Sequence, residues 1–136
     1  VETLIYFKLQ IWSDMKKNLW CSIHQPTKEQ IAELGDVVFL ADVNASLQNR
    51  LNNSPTEGEE LRTLAAELIA FVIEGDYFPV QVGGSIAFQY TLGRISAEIP
   101  FAVKYAHSER VSVDEPQADG SVKKVSIFKH VKFLIA

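Results

Sequence analysis

The chain has 136 residues, a length that suits one domain around a single core. Apolar residues make up 47% and charged residues 22%, and no apolar run reaches the roughly 20 residues that span a bilayer, so a soluble, non-membrane protein is expected. A net charge of −4 argues against a long non-specific grip on a DNA duplex.

The one cysteine, Cys21, has no partner for an internal disulfide, and the N-terminus lacks the basic and apolar regions of a signal peptide. Both observations point to the cytoplasm. Cys and His are too few and wrongly spaced for zinc, so no metal or cofactor is expected.

Residues 1–14 (VETLIYFKLQIWSD) are apolar and β-prone, and they precede a candidate initiator, Met15. The leading valine suggests an alternative start codon. The expectation is therefore an upstream extension over 1–14, lying as an edge strand or a dimer contact, and a domain over 15–136. Removing 1–14 is expected to leave the fold largely intact.

Met15 to Ile23 reads as a strand entering a core. Thr27 and Gln30 have capping-box spacing before a short helix that Gly35 ends. Val37 to Leu40 reads as a buried strand, and Asn44 to Pro55 as a weak helix and loop. A stronger helix follows from Thr56, with Leu61, Leu64, Ala65, Leu68 and Val72 on one stripe. Tyr77 to Val82 is the next strand, although Pro79 would remove a ladder donor there. Gly83-Gly84-Ser85 leads into a helix ending near Ile99, and Phe101 to Tyr105 makes another strand. A hairpin closes the chain, with Arg110 to Asp114, a turn at Asp119-Gly120, and Val122 to Ile135. Alternating strands and helices predict an α/β fold. Its sheet is mostly parallel with helices on both faces and a C-terminal antiparallel hairpin, and ligands bind at the strand carboxyl ends.

Four groups of residues are candidates for chemistry. Ser22, His24, Gln25 and Thr27 lie between the first strand and helix, where backbone donors can meet phosphate; a plain capped turn has the same composition. Gln81, Gly83, Gly84 and Ser85 let the backbone approach a ligand at a helix start, as a tight strand-helix turn also would. Lys104, Tyr105, His107, Ser108 and Arg110 sit where a strand leaves the core, and Arg110 has the planar fork that clamps phosphate. Lys129 and His130 fall on opposite faces of the last strand, so at most one of them aims at any one ligand.

Taken in order, these segments resemble the small stand-alone CARF-domain ring nucleases of type III CRISPR systems, over Leu19 to Phe133. The resemblance is carried by GSVKKVSIFKHVKF at 120–133, by His24 with Thr27 and Gln30, by Gly75 through Gln81, and by Tyr105 to Arg110. The sequence departs from the family at Val82-Gly83-Gly84 and at His107-Ser108. The resemblance implies a Rossmann-like CARF domain that dimerises around cyclic tetra-adenylate. It further implies cleavage of the ring to linear di-adenylates by an internal 2′-hydroxyl, without a metal, which switches off the antiviral signal. His24, Arg110, Lys104 and Ser22 would carry that chemistry. Gln25, Thr27, Gln81, Gly83, Gly84, Ser85, Tyr105, Ser108, Lys129 and His130 would bind the ligand. A protein that sequesters cyclic oligoadenylate without cutting it is the alternative.

Overall fold

The computed structural model describes residues 2–136. In chain order the elements are α1 (Glu2–Asp14), β1 (Lys17–Trp20), α2 (Lys28–Leu34), β2 (Val37–Phe39), α3 (Leu40–Val43), α4 (Ala45–Asn52), α5 (Gly58–Glu74), β3 (Tyr77–Val80), α6 (Ile86–Ser96), β4 (Lys104–Pro116) and β5 (Val122–Ile135). The strands form one sheet in the order β2-β1-β3-β4-β5. β1, β2, β3 and the root of β4 are parallel, and β5 runs antiparallel to β4. This is the mostly parallel, Rossmann-like sheet with a terminal hairpin that the strand-helix alternation predicts. Among the described residues no helix is long and apolar enough to cross a membrane.

Side chains alternate across the sheet and give it two different faces. On one face Leu19 and Cys21 join Leu47 and Leu51 of α4, the buried stripe of α5, and Phe88 and Leu92 of α6 in the main core. On the other, Trp20, Val80 and Phe133 form a smaller cluster with Leu34 of α2. Phe78 on this second face is fully buried, and Trp12 of α1 meets it edge-on at 5.6 Å.

Three expectations are revised. Residues 2–14 form a helix, not an edge strand: one side of it docks through Trp12 and the buried Ser13, a helical contact that the β-prone composition conceals. The segments read as Phe101 to Tyr105 and Arg110 to Asp114 merge into one strand that begins only at Lys104, because the polar stretch between them stays paired with β5. Pro79 does sit inside β3, opposite Leu19 of β1. The backbone of Val80 bonds toward β1 and that of Gln81 toward β4, so the nitrogen of Pro79 faces the β4 side, where β4 has not yet begun. No ladder donor is lost there.

β3 and β4 are in register only at Val80↔Lys104. From His107 outward β4 and β5 therefore continue alone, as a two-stranded arm that leaves the sheet at its carboxyl edge. With about 3.3 Å per residue the arm projects roughly 30 Å.

Candidate functional site

The chain order reverses between β1 and β3: α2 follows β1 onto one face, and α6 follows β3 onto the other. Loops diverge at such a switch point and leave a crevice at the strand carboxyl ends. Here the two loops are tied through Cys21. Its N–H donates to the Val80 carbonyl at 2.9 Å, and its carbonyl accepts from Gly83 N at 3.1 Å and from Gln48 Nε2 at 3.1 Å. The Cys21 thiol is fully buried and donates to the Leu19 carbonyl; burial pushes its pKa up to about 12. A thiol that stays protonated is not a nucleophile at neutral pH.

The turn after Cys21 is fixed from both sides. Ser22 Oγ accepts from His24 N at 3.1 Å, and the Trp20 indole N–H donates to the His24 carbonyl at 2.8 Å. These bonds hold the backbone of His24 and leave its imidazole exposed beside the equally exposed Gln25. Thr27 serves the fold instead, closing the expected capping box with Gln30 at the start of α2.

The loop after β3 is held just as firmly. Gln81 Oε1 accepts from Ala106 N at 2.8 Å. Gln89 of α6 donates to the carbonyls of Val82 and Gly83, at 2.7 and 3.0 Å, and accepts from the Tyr105 hydroxyl at 2.7 Å. Burial raises the Tyr105 phenol to about 12, so it remains a donor. Ser85 caps α6 by accepting from Phe88 N, and its own N–H donates to Ser54 Oγ at 2.9 Å.

Gly84 adopts φ +121°, and a Cβ there would lie 2.7 Å from the Phe88 ring and 3.2 Å from Ser54 Oγ. Gly84→Ala is expected to cost about 2 kcal/mol in urea unfolding, from backbone strain and forced repacking. An unchanged midpoint would show that the loop tolerates a side chain.

The other predicted residues lie elsewhere. Lys104 leaves the crest: its Nζ donates to Asn18 Oδ1 at 2.8 Å and rests 5.0 Å above the Phe78 ring. It lines a cavity of about 490 Å³ with Ser13, Asp14, Asn18, Glu33 and Phe133, on the face covered by α1 and α2. Burial lowers its pKa, and Asp14 and Glu33 partly counter that shift. His130 anchors the arm to α2, with Nε2 2.9 Å from Glu33 Oε1, while Glu33 Oε2 accepts from Phe133 N. Ser108 is paired opposite His130, and the Arg110 guanidinium lies 5.1 Å from the centre of the Phe128 ring, out on the arm. Lys129 is exposed opposite Glu109.

The crest thus gathers Ser22, His24, Gln25 and the Gly83-Gly84-Ser85 loop. It sets the exposed His24 imidazole on the β1 loop alongside the exposed Gly84-Ser85 turn at the start of α6, groups that can meet a phosphodiester and supply a proton donor or acceptor. Gln48, Ser54 and Gln89 are the supports that sequence reading missed. Gln48 and Asn52 stand four apart in a polar helix and are bonded to each other at 2.9 Å, a spacing that offered a signal. Ser54 and Gln89 gave none, because Ser54 meets the remote backbone of Ser85 and Gln89 joins loop carbonyls to the remote Tyr105 hydroxyl.

The model of the Uncharacterized protein MJ1673 family matches residues 16–134. No curated protein and no solved structure matches the chain.

Proposed function

The chain belongs to the MJ1673 family; from the sequence resemblance and the geometry of the crest we propose that it is a CARF-type ring nuclease of type III CRISPR defence. In this reading a homodimer binds cyclic tetra-adenylate over the paired crests. A ribose 2′-hydroxyl attacks the adjacent phosphorus in line, the 5′-oxygen leaves and takes up a proton, and linear di-adenylates with 2′,3′-cyclic phosphate ends result. The observation that carries the proposal is the joining of the Ser22-His24-Gln25 turn and the Gly83-Gly84-Ser85 loop through Cys21 at the switch point. Such a site supplies catalysis by fixing the in-line geometry and by stabilising charge on the phosphoryl oxygens. A two-fold symmetric ring also suits a dimer that presents each loop twice. His24 is the first candidate to orient or deprotonate the hydroxyl; Arg110, stacked on Phe128 out on the arm, is not part of the crest.

The test is chromatography of cyclic tri-, tetra- and hexa-adenylate after incubation with the protein in EDTA. Linear di-adenylate from the tetramer is expected, since the substrate supplies its own nucleophile. His24→Ala should slow single-turnover cleavage about 10²-fold, with binding weakened less. A wild-type rate in the variant would remove the residue assignment, and intact ligand with excess protein would remove the nuclease reading.

A second reading rests on Lys104 and Arg110. The first turns toward Asn18 and the second is stacked on Phe128, so two of the expected charge-stabilising groups are engaged away from the crest. That arrangement favours a protein that binds cyclic oligoadenylate without cutting it. Ligand-induced thermal stabilisation with no product identifies this case.

A further inference from the structure

Most residues of the arm are exposed. A two-stranded ribbon is marginally stable in water unless one of its faces is packed. Starting from Tyr105, whose hydroxyl meets Gln89 of α6, every second residue of β4 faces the α6 side of the sheet. On the arm this face has a regular pattern. Its centre is apolar, with Val111 opposite Ile127 and Val113 opposite Val125. On either side of that centre stands a charged pair, Glu109 opposite Lys129 and Glu115 opposite Lys123. Ile127 is 46% exposed and Val113 37%, so the apolar centre is uncovered in the single chain. On the same side of the sheet, α6 presents Ile86 at 90% and Tyr90 at 67% exposure, one helical turn apart.

We propose that a second copy of this chain packs on this face, arm against arm, with the two-fold axis running along the arm. The charges select both the occupant and its orientation. Rotation about an axis along the arm places β4 over the partner's β5, so each glutamate meets a lysine and the apolar centres coincide. Rotation about an axis across the arm would instead lay Glu109 over the Glu115 position and lysine over lysine, which like-charge repulsion disfavours. The chosen axis also turns the two α6 helices toward each other and directs both crests the same way. This interface deepens the dimer of the ring-nuclease reading. Because association is measured as mass, without nucleotide, a dimer that cleaves nothing would end that reading and leave this one standing.

The experiment is light scattering of the full chain at tens of micromolar. The wild type is expected at twice the chain mass of 15.2 kDa. Glu109→Lys with Glu115→Lys makes all four flanking charges positive and is expected to weaken association about tenfold or more, with circular dichroism unchanged. Adding Lys123→Glu and Lys129→Glu reverses every pair and is expected to restore the dimer. Val113→Arg with Ile127→Arg should give monomer and cannot be rescued by charge. A monomeric wild type, undiminished association in the lysine variant, or a reversed variant that stays monomeric would each overturn the proposal.

Discussion

Between pH 9 and 12 the protein is expected to lose stability steeply. Burial raises the Cys21 thiol from 9.0 to about 12, and burial aided by the neighbouring Cys21 raises the Tyr105 phenol from 10.0 to about 12. In the unfolded chain both groups ionise near their ordinary values, while the folded chain keeps them protonated. The folded state then binds more protons, so stability falls as pH rises. The contribution is whole below pH 9 for Cys21 and below pH 10 for Tyr105, and it is lost as pH climbs through about 12. For Cys21 the loss is on the order of 3 kcal/mol; the partly covered Tyr105 adds less. Lys104 opposes the trend, because its lowered pKa lets the folded protein discharge a buried ammonium before the unfolded chain does. Urea unfolding at pH 8, 10 and 11 reads the slope. Cys21→Ala should flatten it, and parallel slopes in the two proteins would refute the assignment to the thiol.

A chain that begins at Met15 is expected to fold with about 3 kcal/mol less stability, the usual scale for losing a packed aromatic. Trp12 covers Phe78, which is fully buried, and Ser13 is 2% exposed beside it. Lys16 loses the Trp12 ring it lies against, 5.2 Å from its centre, although its ion pair with Asp76 remains. The family match starts at residue 16, so the sheet itself is expected to persist, now with an uncovered apolar face that binds a hydrophobic dye. Trp12→Ala in the full chain should reproduce most of the loss. Equal urea midpoints for the full and shortened chains would show that α1 contributes nothing, and would return residues 1–14 to the dispensable extension that the sequence suggests.

Much of this architecture is legible in the residues, for identifiable reasons. Thr27 with Gln30 forms the box its spacing announces, and the apolar stripe of α5 is buried as its period requires. Both are local signals. The hairpin of the arm is legible from its turn and strands, but its continuity with β4 is not, because His107-Ser108-Glu109 is a polar stretch without the apolar alternation that marks a strand. Lys104 is expected at the crest from its place at the root of β4, yet its long stem carries the amine back across Phe78 to Asn18, a direction that sequence spacing does not encode. The joining of the two crest loops depends on the Cys21 carbonyl, a backbone group with no signature at all.

The arm also has two free edges, and their charges bear on solubility. The β5 edge carries Lys123, Lys124, Lys129 and Lys132, while β4 carries Glu109, Asp114 and Glu115. Adding like edge to like edge sets charges of one sign against each other, the common protection of exposed strands. Joining the acidic edge of one chain to the basic edge of the next meets no such barrier. That contact is heterologous and never closes, so it propagates as a growing sheet. Low salt and high concentration favour such fibres.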